Sequence, residues 1–318
     1  VSIATASRVL NNSARVSPQA RQQVRTAASR LGYVRHRAAP VHPKRKVRTV
    51  AAVLYANYER ILGDPFFSRV ILGATEELAR HDVPLMILQV NDERLPLVER
   101  YIHSGQFDGL VVLADHGNHP LADSLPSLGI PWTLVGAPNH PCTSYVDCDN
   151  RAGAREAVEY LIRTGRRSIA TIAGPPIKPV GADRLAGYRE ALANHQLPEL
   201  PVAYGDWSQA SGVHAMCRLL DLRPNLDAVF VASDVMATGA LYALRRAGRR
   251  VPEDVAVIGF DDLMLATQTR PKLTTMRQPI EEYGAVAARI LLDSLDGGEP
   301  PSGGATLLPT RLIVRESA

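Results

Sequence analysis

The chain has 318 residues, 46% of them apolar and 21% charged, enough to build more than one packed domain. No apolar run approaches about 18 residues, which excludes a transmembrane helix. The formal net charge of +4 hides a strong segregation. The first 48 residues hold eleven basic and no acidic side chains, leaving 25 basic and 32 acidic for the remaining 270. A basic head on an acidic body is the footprint of a molecule that meets a polyanion at one end.

In the head, Ser17 followed by Pro18 reads as a helix start, cap then first helical residue. Ala20, Val24, Ala27, Ala28 and Leu31 follow at helical spacing, and Gly32 stands where a left-handed C-terminal cap is expected. Arg21, Arg25 and Arg30 fall off that stripe. Upstream, Ser2 can cap an earlier helix whose Val9 and Leu10 pack on the next one. Two short arginine-rich helices with a polar connection suggest part of a helix-turn-helix; a disordered tail needs no start, stripe and stop.

After the head, apolar β-type runs alternate with amphipathic stretches. Strands are predicted at 49–55, 84–90, 109–113, 132–135, 168–173, 228–232 and 255–260. Helices are predicted at 67–81, 153–164, 185–194, 237–247 and 283–295. That alternation gives parallel sheets with helices on both faces, an α/β body of two units in series. Ligands of open parallel sheets bind beyond the carboxyl ends of the strands, so a cleft between lobes is the natural site. No nucleotide-binding glycine fingerprint, nucleophile elbow or metal cluster stands out, so no enzyme, catalytic residue, metal or cofactor is expected. Cys142, Cys148 and Cys217 are an odd set without metal spacing. With no signal-peptide pattern at the start, a reducing cytoplasm is expected. His103, His116, His119 and His140 read as solvated histidines.

The stretch "VSIATASRVLNNSARVSPQARQQVRTAASRLGYV" resembles the DNA-binding head of the lactose-repressor (LacI/GalR) family of bacterial transcription factors. Many positions match in order and without gaps. The resemblance implies that Ile3 and Ala4 face base edges, and that Thr5, Ser7, Arg8 and Asn11 contact phosphates or bases. Ile3 and Ala4 can make only apolar contacts, for instance to a thymine methyl, so Arg8 is the candidate for hydrogen-bonded reading. Arg35 and Arg37 are candidates for phosphate binding.

Two departures accompany the match. In the family another helix and a turn precede this point, so a chain starting at Val1 is expected to have a truncated head with weakened operator binding. In the family, too, a hinge helix follows and wedges a leucine into the minor groove. Here His42 takes that position and Pro40 interrupts the helix, so the hinge is expected to bind through charge and extended backbone.

The resemblance continues through the body, in "DPFFSRVILGATEELARHDVPL", "VDCDNRAGAREAVEYLIRTGRRSIATIAG", "DRLAGYREAL", "ASDVMATGALYALRRAGRRVPEDVAVIGFDD" and "LLPTRLIVRES". It implies a two-lobed, periplasmic-binding-protein-like body of two doubly wound parallel sheets, behind a small all-α head. The implied organisation is a head at 1–33, a basic hinge at 34–48, one lobe at 49–162 with 279–306, and the other at 163–278 with 307–318. It implies a homodimer on double-stranded operator DNA, with the lobe that carries 67–81 forming part of the dimer interface. It also implies a small effector, a sugar by the "GDWS" stretch, held by Phe67, Asp149, Lys178, Arg184, Trp207 and Asp261, with Val180 near Lys178. An arginine, two carboxylates and an aromatic plate suit a polyhydroxylated ring.

Each residue also has a plainer reading. Trp207 can be lobe packing. Asp149 can cap the following helix, Asp261 and Asp262 the next segment, and Arg184 can pair with Asp183 or Glu190 on the surface. Asp234 reads as a helix N-cap and lobe contact. The expected function is a ligand-responsive regulator, most simply a repressor. The rival is a solute-binding protein of a transport system, which leaves the basic head unexplained.

Overall fold

The computed structural model describes residues 2, 5, 6, 9, 16–30, 48–56, 58–91, 93–114, 125, 129–138, 144–297 and 304–318. Ile3, Ala4, Ser7, Arg8, Asn11, Arg35, Arg37, the hinge residues 34–47, Cys142, His116, His119 and His140 lie outside them. The chain divides into two compact units, Val1–Val47 and Arg48–Ala318.

In the first unit α1 spans Pro18–Arg30. Its start is the one the sequence predicts: the Ser17 hydroxyl accepts from the Ala20 backbone N–H at 3.3 Å. Ser2 caps upstream in the same way, its hydroxyl accepting from the Thr5 N–H at 3.2 Å. Among the described residues of this unit, Val9 and Val24 are the buried apolar ones.

In the second unit the described strands form two six-stranded sheets. The first runs in the order β11 (Ala305–Leu308), β5 (Tyr145–Cys148), β4 (Trp132–Val135), β3 (Gly109–Ala114), β1 (Val50–Tyr55) and β2 (Leu85–Val90), all parallel. The second runs β12 (Arg311–Ile313), β10 (Thr274–Arg277), β9 (Ala256–Asp261), β8 (Ala228–Val231), β6 (Ile169–Ala173) and β7 (Val202–Tyr204), parallel except at β12. β1, β6, β8 and β9 are buried along their whole length, as expected of strands covered by helices on both faces.

The helices are α2 (Tyr58–Gly63), α3 (Pro65–Ala79), α4 (Leu95–His103), α5 (Asn150–Arg163), α6 (Pro179–Asn194), α7 (Gln209–Leu222), α8 (Asp234–Arg246), α9 (Leu265–Gln268) and α10 (Ile280–Leu295). The seven strands and five helices read from the sequence all form, with ends moved by up to six residues, the largest shift being the start of α6 at Pro179. Strands β5, β7, β10, β11 and β12 and helices α2, α4, α7 and α9 are additions. β10 is a threonine-rich strand that apolar patterning misses. It is buried because its hydroxyls are paired internally, Thr275 donating to Asp234 at 2.6 Å and Thr274 accepting from the Arg315 N–H at 2.9 Å.

The lobe boundaries differ from the expected ones. Helix α5 packs on α6 and against strands of the second sheet, so residues 150–162 belong with the second lobe. β11 pairs with β5 through Leu308, so 307 and 308 belong with the first. The chain therefore crosses between lobes at 149, at 278–279 and at 309–310. One apolar cluster runs through both lobes at these crossings, from Val70 and Tyr283 to Tyr188 and Phe260.

Helices α3 and α10 meet backbone to backbone. A Cβ placed on Gly284 would lie 1.9 Å from the Val70 carbonyl oxygen, and one on Gly73 1.8 Å from that of Glu281. Neither neighbour can give way without moving a helix. Gly284→Ala is expected to cost about 1–3 kcal/mol of stability, read as a lower urea midpoint. A midpoint equal to wild type contradicts this packing.

Candidate functional site

The site forms where β5, β9, β10 and α6 converge at the first two crossings. Arg184, in the second turn of α6, is 3% exposed. Its Nε donates to Asn150 Oδ1 at 2.9 Å, and its Nη1 donates to the Ala232 carbonyl at 2.6 Å and to Asp261 Oδ1 at 3.3 Å. The guanidinium lies 3.7 Å from the centre of the Phe260 ring, a stacked cation–π contact. Asn150, the first residue of α5, donates in turn to Asp147 Oδ1 at 3.1 Å. Gln278, at the second crossing, donates to Asp261 and accepts from the Tyr283 hydroxyl at 2.8 Å.

β9 ends in two consecutive residues with positive φ, Asp261 at 117° and Asp262 at 54°. This turn sends neighbouring carboxylates in different directions. Asp261 goes inward to Arg184, while Asp262 pairs with Arg277 at 2.6 Å and Arg315 at 2.7 Å. Such backbone strain concentrates at functional sites.

Burial dominates the electrostatics. It raises Asp261 to about 6, although Arg184 and Gln278 pull the other way. Asp234 is raised well above the usual carboxylate range, first by burial and then by the charge of Asp261. Asp147 is raised by burial against four favourable bonds and charges. Burial pushes the Cys148 thiol up to about 12, so it is protonated at neutral pH.

Beside Arg184 stands Trp207, 6% exposed and held at φ 75° between Asp206 and the α7 cap Ser208. Its ring lies against Gly174, where a Cβ would come within 2.3 Å of Cη2. Three cations surround it, with Arg60, Arg184 and Lys178 at 5.7, 5.8 and 5.9 Å from the ring centre. Its Nε1 is buried with no hydrogen-bond partner among the described residues. An indole plate beside a guanidinium, an ammonium, a carboxylate and an amide can bind a ring that carries several hydroxyls.

Arg184, Asp261, Lys178 and Trp207 are thus brought together. Val180 packs at the edge of the second lobe's core. Arg184 does not make the surface pair with Asp183 or Glu190; Glu190 bonds Arg151 instead. Asp149 takes its plainer reading: it is exposed, and its carboxylate accepts from the Ala152 N–H at 2.8 Å as the α5 cap. The inward position belongs to its neighbour Asn150, which sequence reasoning missed. Phe67 lies in the first lobe's core, edge-to-face with Phe66. Asp234 is not the cap of α8. That is Ser233, while the fully buried Asp234 accepts from Thr275 and from the Leu263 N–H. Among the described residues no group of three His, Cys, Asp or Glu is placed to hold a metal, and no helix is long and apolar enough to cross a membrane.

The raised carboxylate has a pH consequence. Asp261 gives up its proton near pH 4 in the unfolded chain but near 6 in the fold. The stability it contributes is fully present below about pH 4 and is lost as pH rises through about 6. Asp261→Asn removes that loss and leaves Arg184 an oxygen acceptor. Between pH 4 and 6.5 the variant's thermal midpoint is expected to gain steadily on wild type. A difference that stays constant across this window contradicts the burial of an ionisable group there.

Comparison with known proteins agrees with this geometry. Residues 1–36 match the family model described as bacterial regulatory proteins, lacI family, and 158–318 match the periplasmic binding protein-like domain. The chain is 42% identical to the HTH-type transcriptional regulator CelR of Thermobifida fusca over 322 residues, covering 98% of this chain and 94% of that one. It is 35% identical to the HTH-type transcriptional repressor CytR of Escherichia coli (strain K12) over 326 residues, covering 100% and 93%. Among solved structures, a CelR–cellobiose complex superposes with a TM-score of 0.81 at 39% identity, covering 100% of this chain and 96% of that one. The lac repressor dimer bound to operator and the anti-inducer ONPF gives 0.77 at 25%, covering 100% and 95%. The basic head, the two-lobed body and these matches identify the chain as a member of the lacI family of bacterial regulatory proteins, a DNA-binding, ligand-responsive transcriptional regulator and not a transport solute receptor.

Proposed function

We propose that the effector is a sugar, held between the lobes against Trp207 by Arg184, Asp261 and Lys178, with Asn150 and Asp147 fixing the arginine. The observation that carries this reading is the buried indole, ringed by hydrogen-bonding groups and with its own N–H unpaired among the described residues. The similarity to a regulator solved with cellobiose supports it. Phe67 serves as apolar backing and Asp149 as a cap, outside the binding set.

In the same reading Ile3, Ala4, Thr5, Ser7, Arg8 and Asn11 contact operator DNA, and Arg35 and Arg37 bind its phosphates. The protein represses as a homodimer in the cytoplasm and acts by binding, not by catalysis. Exposed Leu72 on α3 and Ile87, on the side of edge strand β2 that α3 covers, offer an apolar face suited to a second copy.

A thermal-shift screen tests the effector class. Cellobiose, other disaccharides, monosaccharides, purines and nucleosides are compared on wild type and Trp207→Ala. A sugar at about 100 times its Kd is expected to stabilise wild type by about 2–3 kcal/mol, and the shift is expected to vanish in the variant. Stabilisation by purines or nucleosides and by no sugar contradicts the reading.

A further inference from the structure

Arg60 lies on the short helix α2 of the first lobe, outside every motif read from the sequence. Its position is fixed from its own lobe. Nη2 pairs with Asp64 Oδ2 at 3.0 Å, and Asp64 is itself held as the α3 cap, Oδ1 accepting from the Phe66 N–H at 3.0 Å. Tyr58, two residues earlier, is bonded and stacked by Arg94, which ties α2 to the start of α4. From this base the guanidinium reaches the second lobe at two points: the Trp207 ring at 5.7 Å and the Asp206 carbonyl at 3.4 Å. Asp64 is close enough to Asp261 for its charge to act on that carboxylate. Two arginine–aspartate pairs, Arg60–Asp64 and Arg184–Asp261, thus come from opposite lobes to the same indole.

The geometry points to Arg60 as a gate on the Trp207 ring: it links the two lobes there and must be displaced by a ring that stacks on the side it covers. The spacing gives the reason. A sugar ring in van der Waals contact needs about 3.5–4 Å on each side, so none fits between the indole and a guanidinium 5.7 Å from its centre. Arg184 and Lys178 are spaced alike but are buried in the second lobe, which leaves Arg60, from the first lobe and the most exposed of the three, as the one to move. Ligands that engage the displaced guanidinium through their own hydroxyls recover the lost contact, and ligands too small to reach it do not. Arg60 therefore sets a size threshold on the effector. Only the affinity effect rests on the sugar reading above; the gate itself is a property of the protein alone.

The test uses the two tryptophans of the chain. With Trp132→Phe as the parent, Trp207 is the sole indole emitter, and acrylamide quenching reports access to its face. Arg60→Ala in that parent is expected to raise the quenching slope by about 2- to 5-fold. Asp64→Asn, which keeps the cap but weakens the ion pair, is expected to raise it less, and Arg60→Lys least. An Arg60→Ala slope equal to that of the parent overturns the gate. Calorimetry with glucose and cellobiose reads the second consequence: Arg60→Ala is expected to narrow the preference for the disaccharide by about 2- to 5-fold. An unchanged preference overturns the size threshold. If neither sugar binds any variant, the sugar reading fails and the quenching slope alone decides the gate.

Discussion

The structure depends on a charge that is difficult to bury. Arg184 is enclosed where the chain crosses between its lobes, and an unpaired guanidinium there would cost several kcal/mol. Nε and Nη1 are therefore paired and the plane is covered: Asn150 on one side, the Ala232 carbonyl and Asp261 on the other, and the Phe260 ring against the guanidinium. The cost of burial is what fixes the positions of the surrounding groups. Asn150 is held by Asp147, Asp261 by Gln278, and Gln278 by Tyr283, so the network runs from the second lobe into the first.

Its members sit at the crossings. Asn150 opens the helix after the first crossing, and Gln278 stands at the second. A ligand that bonds Arg184 or Asp261 changes the partners of both. A small molecule shifts a conformational equilibrium only through such differential contacts, and this network places them where lobe orientation is set. Trp207 adds an apolar plate without loosening the polar frame, because Gly174 lets the ring lie directly on the backbone.

Much of this was legible in the sequence, and the exceptions have physical causes. The apolar strands β1, β6, β8 and β9 are legible because both their faces are buried. β10 is not, because its threonines are buried by pairing and not by being apolar. Helix α7 opens at the Ser208 cap inside the "GDWSQASG" stretch, whose glycines and serines read equally well as a ligand loop. Arg184, Asp261, Lys178 and Trp207 came from the family resemblance, and the fold brings them together. Asp149 and Asn150 are neighbours at a strand-to-helix turn. Which one faces inward depends on the turn's backbone, which no spacing rule supplies. Asp261 and Asp262 pose the same problem, resolved by two positive φ values. Arg60 gave no signal: a single arginine on a six-residue helix with an aspartate four residues on looks like any solvated surface.

Arg184 and Asp261 act as one unit, each tolerated in the interior because of the other. A double-mutant cycle on chemical unfolding, with Arg184→Met, Asp261→Asn and the combined variant, measures that dependence directly. Removing the arginine alone leaves a buried carboxylate and is expected to cost about 3–5 kcal/mol. The combined variant is expected to lose at least about 1 kcal/mol less than the two single losses added. Strict additivity would show that the two residues are buried independently, and would contradict that dependence.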